Sequence, residues 1–221
     1  MKNIKAIIFD AYGTLFDVNS AAEKCKEKIG DKWESFANYW RTTQLEYTWL
    51  RSLMGKHKDF WQVTEDSLDK SMRAFDIKIS MKNELLNLYK FLSTFDEVPR
   101  SLKTLKEKKY KLAILSNGTP KLLNELIKNN DLENIFDDIF SVEEVGVYKP
   151  DSRVYDIPIK KYRIKKNEIA FLSANTWDVS GGGNFGYNSI WVNRSNNIFD
   201  NLDYKPKYEI KDLNKLISLL S

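Results

Sequence analysis

Asp10 is the first residue placed to do chemistry. In FDAYGTLFD, an apolar run delivers its carboxylate into a turn, and Thr14 supplies a hydroxyl four residues on. Other reactive side chains also follow apolar runs: Ser116 and Asn117 after LAIL, Lys149 in VYKPD, and Ser173, Asn175 and Asp178 in SANTWD. The rest of the composition narrows the choice of reaction. The chain has one histidine, His57, and one cysteine, Cys25. A Ser-His-Asp triad would hang on His57, in a segment (GKHKDF) that reads as a polar turn. A zinc site would lack ligands at metal spacing. One cysteine cannot form an intrachain disulfide and suits a reducing cytosol. Any chemistry must therefore run on carboxylates, lysine, arginine and hydroxyls.

These residues need strands to carry them. IKAIIFD reads as a short buried strand, and similar runs recur in KLAILSN, DDIFSV, EIAFLSAN and NSIWVN. Helical patterns separate the last four, among them VPRSLKTLKEK with Pro99 near its start, and TPKLLNELIKN with Thr119 as its cap. Strand–helix alternation predicts an α/β fold: a Rossmann-like, doubly wound parallel sheet. Such sheets bind ligands beyond the carboxyl ends of their strands, where the reactive residues fall. Between the first two strands lies only helical pattern. Trp33, Phe36, Trp40, Tyr47, Leu50 and Met54 recur at three- and four-residue steps, predicting a long amphipathic helix over about 33–54. Leu68, Met72 and Phe75 mark a second helix, and Leu85, Leu88, Tyr89 and Leu92 a third. The expected organisation is a core of residues 1–15 and 98–221, with a helical cap inserted over 16–97.

The net charge of +4 is spread over 35 basic and 31 acidic residues, so no nucleic-acid face is expected. The KEKKYK cluster (106–111) reads as a solvated helix end. The run AIIF falls far short of the ~18 residues of a membrane span, and no signal peptide is visible. A cytoplasmic protein that acts on a small molecule is expected.

With these segments assembled, the sequence resembles the haloacid dehalogenase superfamily, in particular its L-2-haloacid dehalogenase branch. Asp10 with Thr14, Ser116, Lys149 and the acidic loop ending in Asp178 match the four superfamily motifs. FDAYGTLFDV, WRTTQLEYTWLRSLM, AILSNG, VYKPDSRVY and SANTWD resemble the branch across both cap and core. Magnesium-dependent phosphatases of the superfamily read D-x-D-G-T at the first motif, the second Asp being their acid–base group. Here that position is Tyr12. A departing halide needs no proton, so a dehalogenase has no use for that acid. A 2-haloacid brings one carboxylate charge, and Lys149 and Arg41 nearly balance it with Asp10 and Asp178. No metal or other cofactor is expected. Each charge pair at ~4 Å and an effective dielectric near 20 is worth about 4 kcal/mol, so an unbalanced second anion would decide whether substrate binds.

The resemblance implies an (S)-2-haloacid dehalogenase. Asp10 displaces halide from C2 with inversion, and water hydrolyses the resulting ester at the Asp10 carboxyl carbon to release an (R)-2-hydroxyacid. Lys149 keeps Asp10 ionised. Thr14 and Ser173 orient these groups, Ser116 and the backbone around Asn117 hold the substrate carboxylate, and Asn175 and Asp178 position and activate water. Arg41 receives the halide. Tyr12, Leu45, Phe60 and Trp177 wall the C2 side, with Tyr155 supporting, although Leu45, Phe60 and Tyr155 equally suit core positions. A homodimer is also implied. Two alternatives remain: a magnesium-dependent phosphatase, and a non-catalytic protein that binds a small acid.

Four features depart from the branch. Thr42 and Thr43 follow Arg41 where a longer amide and a base are expected. Gly181–Gly183 replace bulkier residues, predicting a loose loop because glycine costs a helix about 1 kcal/mol each. Pro158 lies inside a predicted helix and threatens the aim of Tyr155.

Overall fold

Each of the five continuous apolar runs forms a strand. In the computed structural model these are β1 (Ala6–Phe9), β2 (Lys111–Ser116), β3 (Asp138–Ser141), β4 (Ile169–Ser173) and β5 (Asn188–Val192). The structure describes residues 1–221 except Lys2, Asn19, Ala21, Ala22, Cys25 and Ser221. Cys25, for which no role was expected, lies outside the described residues. A sixth strand, β6 (Tyr208–Ile210), was not anticipated from the sequence. All neighbours pair in parallel, in the order β3-β2-β1-β4-β5-β6. Both faces are covered, so β1 and β4 are buried at every residue, which explains their unbroken apolar character. β1 lies between β2 and β4, where the winding of the sheet reverses. The residues that follow these strands therefore meet at one edge.

Helices α1 (Trp33–Leu53), α2 (Phe60–Ala74) and α3 (Lys82–Leu88) lie between β1 and α4 (Val98–Glu107). A helical turn, Lys26–Ile29, precedes them. The predicted stripe on α1 holds through Phe36 and Trp40, with Tyr47 partly buried against the core, and fails at its end. Phe36 and Trp40 are buried, whereas Leu50 and Met54 are 49% and 62% exposed. The inner face continues instead through Thr43, Gln44 and Thr48, packed against α2, whose Asp59 cap accepts from the Gln62 amide. The two chain crossings beside the core run side by side: Asp17 N donates to Ser93 O at 2.8 Å and Phe95 N to Leu15 O at 3.2 Å.

After β2, Thr119 caps α5 (Pro120–Asn129), accepting from the Leu122 amide. α6 (Ser152–Tyr162) runs through Pro158 without a break. α7 (Thr176–Phe185) contains Gly181–Gly183, so the expected loose loop is in fact a packed helix. A Cβ on Gly181 would lie 2.5 Å from the Tyr155 hydroxyl, and one on Gly182 2.7 Å from the Phe171 ring. Close approach, rather than helix propensity, accounts for glycine at both. α8 (Leu216–Leu220) ends the described chain. Among the described residues, no helix is long and apolar enough to cross a membrane.

Candidate active site

Asp10 follows β1 directly, and its amide donates to Leu172 O of β4 at 2.8 Å. That backbone bond sets its carboxylate among the loops after β4. Oδ2 accepts from Thr14 Oγ1 at 2.9 Å, Ser173 Oγ at 3.1 Å and Asn175 Nδ2 at 2.9 Å. Oδ1 accepts from Lys149 Nζ at 3.2 Å. The hydroxyls are themselves fixed: Thr14 Oγ1 accepts from Ala174 N at 2.8 Å, and Ser173 Oγ from Asn175 N at 3.1 Å. Each oxygen of Asp10 thus has a different neighbourhood. One is held by three neutral donors, the other by a single ammonium.

Lys149 is 1% exposed and bridges two carboxylates. Its Nζ lies 2.8 Å from Asp178 Oδ2 as well as near Asp10, and 5.1 Å from the centre of the Phe171 ring. Burial alone would lower its pKa, but Asp10 and Asp178 outweigh that and raise it. Asp178 is fully buried. Burial pushes its carboxyl up to about 6, with Lys149 opposing and Asp10 reinforcing the shift. Tyr155 donates to Asp178 Oδ1 at 2.7 Å, and its own pKa is raised by burial and then by Asp178. Pro158 has not re-aimed it. The backbone cap of α7 is Asn175, and Asp178 spends its carboxylate on Lys149 and Tyr155 rather than on capping. No group of three or more His, Cys, Asp or Glu able to hold a metal occurs among the described residues.

Beyond β2, Ser116 Oγ accepts from Gly118 N at 3.1 Å, and Asn117 Oδ1 accepts from Lys149 N at 3.2 Å. Ser141 Oγ donates to Gly118 O at 2.7 Å and pins the same loop. Capping of α5 falls to Thr119, leaving Ser116 to the loop. Tyr12 stacks between Phe60 and Tyr89, with ring centres at 5.1 and 5.7 Å. Its carbonyl accepts from Asn175 Nδ2 at 3.2 Å. Its hydroxyl is buried without a partner among the described residues, and its pKa is raised by burial and Tyr89, with Arg41 opposing.

Asp10, Thr14, Lys149, Ser173, Asn175, Asp178 and Tyr155 thus form one hydrogen-bonded cluster, which Asn117 joins through the Lys149 amide. Among the described residues, the hydrogen bonds of that cluster do not reach the side chains of Arg41, Leu45 or Trp177. Arg41 bonds Gln44 Oε1 at 2.8 Å. Trp177 packs on Trp49 of α1, with ring centres 5.5 Å apart. Thr42 points to solvent, so the shorter side chain there opens nothing inside. His57 also has a partner: its Nε2 lies 2.8 Å from Glu143 Oε2, joining the α1–α2 loop to the loop after β3. Sequence reasoning gave no site role to Gln44, Thr64 or Tyr89, yet beside Arg41 the Gln44 amide donates to Thr64 Oγ1 at 2.7 Å and accepts from Tyr89 OH at 3.1 Å. The available signal was a lone amide on the inner face of α1, three residues beyond Arg41.

A family model of haloacid dehalogenase-like hydrolases matches residues 4–186. The chain belongs to that family. Within the haloacid dehalogenase-like hydrolases, it is 40% identical to an (S)-2-haloacid dehalogenase of Pseudomonas sp. (strain YL), across 99% of this chain and 95% of the relative. It is 34% identical to haloacetate dehalogenase H-2 of Moraxella sp. (strain B), across 100% of both. A solved structure of L-2-haloacid dehalogenase from Xanthobacter autotrophicus, with chloropropionic acid covalently bound, superposes with a TM-score of 0.91. The two are 31% identical, across 98% of each chain. The expected fold class and family therefore hold.

Proposed function

We propose that this protein is an (S)-2-haloacid dehalogenase, converting short L-2-haloacids to (R)-2-hydroxyacids and halide. The observation that carries this reading is Asp10 itself. Three neutral donors fix Oδ2, while among the described residues Oδ1 meets only Lys149 and keeps lone-pair capacity to attack C2. A carboxylate is a weak nucleophile in water. Burial and alignment supply the gain, and good orientation is worth roughly 7–11 kcal/mol. Attack of Oδ1 on C2 forms the C–O bond as the C–halogen bond breaks, with the pair leaving on halide. Asp178 then takes a proton from water as the hydroxide adds to the Asp10 carboxyl carbon. The acyl C–O bond breaks, Asp178 returns the proton to the departing alkoxide to give the hydroxyacid, and Asp10 regains its carboxylate by losing a proton to solvent.

Ser116 and the Asn117 backbone hold the substrate carboxylate, and Arg41, from the 16–97 cap, receives the halide. Tyr12, Leu45, Phe60 and Trp177 wall the C2 side, and Tyr155 orients Asp178. The charge set needs no metal, because Lys149 already lies between the two acids. The proposal extends to a cytoplasmic homodimer, for which the exposed Leu50, Leu53 and Met54 supply apolar surface.

Single turnover in ¹⁸O-water, with enzyme in excess, tests the ester route. The account predicts label in the Asp10 carboxyl group and unlabelled first product. Label entering the product directly would mean that water, not Asp10, attacks C2.

A further inference from the structure

The guanidinium of Arg41 is anchored without being neutralised. Its Nη1 donates to Gln44 Oε1 at 2.8 Å, and no carboxylate pairs with it among the described residues. Gln44 is 1% exposed and its orientation is dictated. Thr64 Oγ1 donates to Phe60 O at 2.7 Å, so it can offer Gln44 only a lone pair and accepts from Nε2 at 2.7 Å. Oε1 must then face Arg41, where it also accepts from Tyr89 OH at 3.1 Å. Trp40 Nε1, donating to Thr64 O at 3.1 Å, braces the same frame. The charged or titratable groups facing this amide are Arg41 and Tyr89, with the Tyr12 ring stacked beyond Tyr89.

We propose that Gln44 is a positioning residue that aims Arg41, and that its neutrality preserves the guanidinium charge for the departing halide. An ionised carboxylate could also accept from Arg41, but it would spend that charge inside the protein and has no proton to donate to Thr64. An amide locked by Thr64 holds Arg41 and leaves its field to the ligand. Gln44 Oε1, which holds Arg41, also accepts from Tyr89, whose ring stacks on Tyr12 two residues from Asp10, so the guanidinium is tied to the wall beside the reacting carboxylate. This inference rests on the halide role given to Arg41 above.

The test compares wild type, Gln44→Glu and Thr64→Val in chloride and bromide release from L-2-halopropionates across pH. Gln44→Glu should lower kcat about 10- to 100-fold at neutral pH, the scale of a hydrogen bond to a charged group. Its activity relative to wild type should recover as pH falls through the new carboxyl's pKa, because a protonated Glu is again neutral. Thr64→Val frees the amide to flip, and should lower kcat more for chloride than for bromide with KM little changed. Equal losses for both halides in Thr64→Val, or a Gln44→Glu ratio that does not change with pH, would overturn the proposal. Bromide binding to wild type and Gln44→Glu, followed by calorimetry, reads the same charge without turnover. Weaker binding by the variant is expected, and equal binding contradicts the inference. A wild type that releases no halide would count against the functional reading alone.

Discussion

In the proposed dehalogenase route, the Asp178 carboxyl sets the acid edge of the working pH range. Burial raises its carboxyl to about 6, so it is ionised, and able to accept a proton from water, only above that value. The ester-hydrolysis step should accordingly lose rate as pH falls through about 6. The Tyr155 hydrogen bond favours the ionised form, opposing the burial that dominates the shift. Tyr155→Phe should therefore raise the Asp178 pKa and move the acid limb of kcat to higher pH, as a pH–rate profile would reveal. An unmoved limb would mean that another group sets it. Asp10 was legible because a reactive group directly after an apolar strand has few other reasons to be there, and Lys149, eight residues past the end of β3, was legible only through its match to the YKP motif. Gln44 was not. Its partners Thr64 and Tyr89 arrive from other helices, and nothing in local spacing announces them.

Among the elements, α7 carries the clearest lesson. Helix propensity alone predicts a loose segment at Gly181–Gly183, but tertiary packing demands glycine there. Gly181→Ala would gain up to about 1 kcal/mol of helix propensity and lose about 1–3 kcal/mol to overpacking, since its Cβ meets both Tyr155 and Pro150 within 3 Å. Net destabilisation in thermal melts, with a lower kcat as Tyr155 is displaced from Asp178, is the expected outcome. The same contrast explains what else could be read. Five strands were visible as unbroken apolar runs, whereas β6 is three residues with an exposed Glu209 at its centre and carries no such signal. At the end of α1, regular spacing pointed to Leu50 and Met54 as inner residues, yet both are exposed and the inner face runs instead through Thr43, Gln44 and Thr48.

At the scale of the molecule, Arg194 links distant parts of the chain. It donates to Glu97 Oε1 at 2.6 Å and to Thr14 O at 2.8 Å, and lies 3.9 Å above the Phe95 ring. Glu97 in turn accepts from Leu213 N at 3.3 Å. One side chain thus ties the Asp10 loop, the return crossing from the helical insertion and the C-terminal region. Arg194→Met strands a largely buried Glu97 and should cost about 3–5 kcal/mol in denaturant unfolding, with loss of activity through Thr14. A cost near zero would mean that the crossing is held elsewhere. The charge arrangement at the opposite scale, two acids around one lysine, makes the central claim open to a direct assay. Chloride release from L-2-chloropropionate by the purified protein in EDTA, with the D-enantiomer as control, is that measurement. The account predicts release from the L-form alone, undiminished by the chelator. No release from either enantiomer, or release that requires added magnesium, would contradict it.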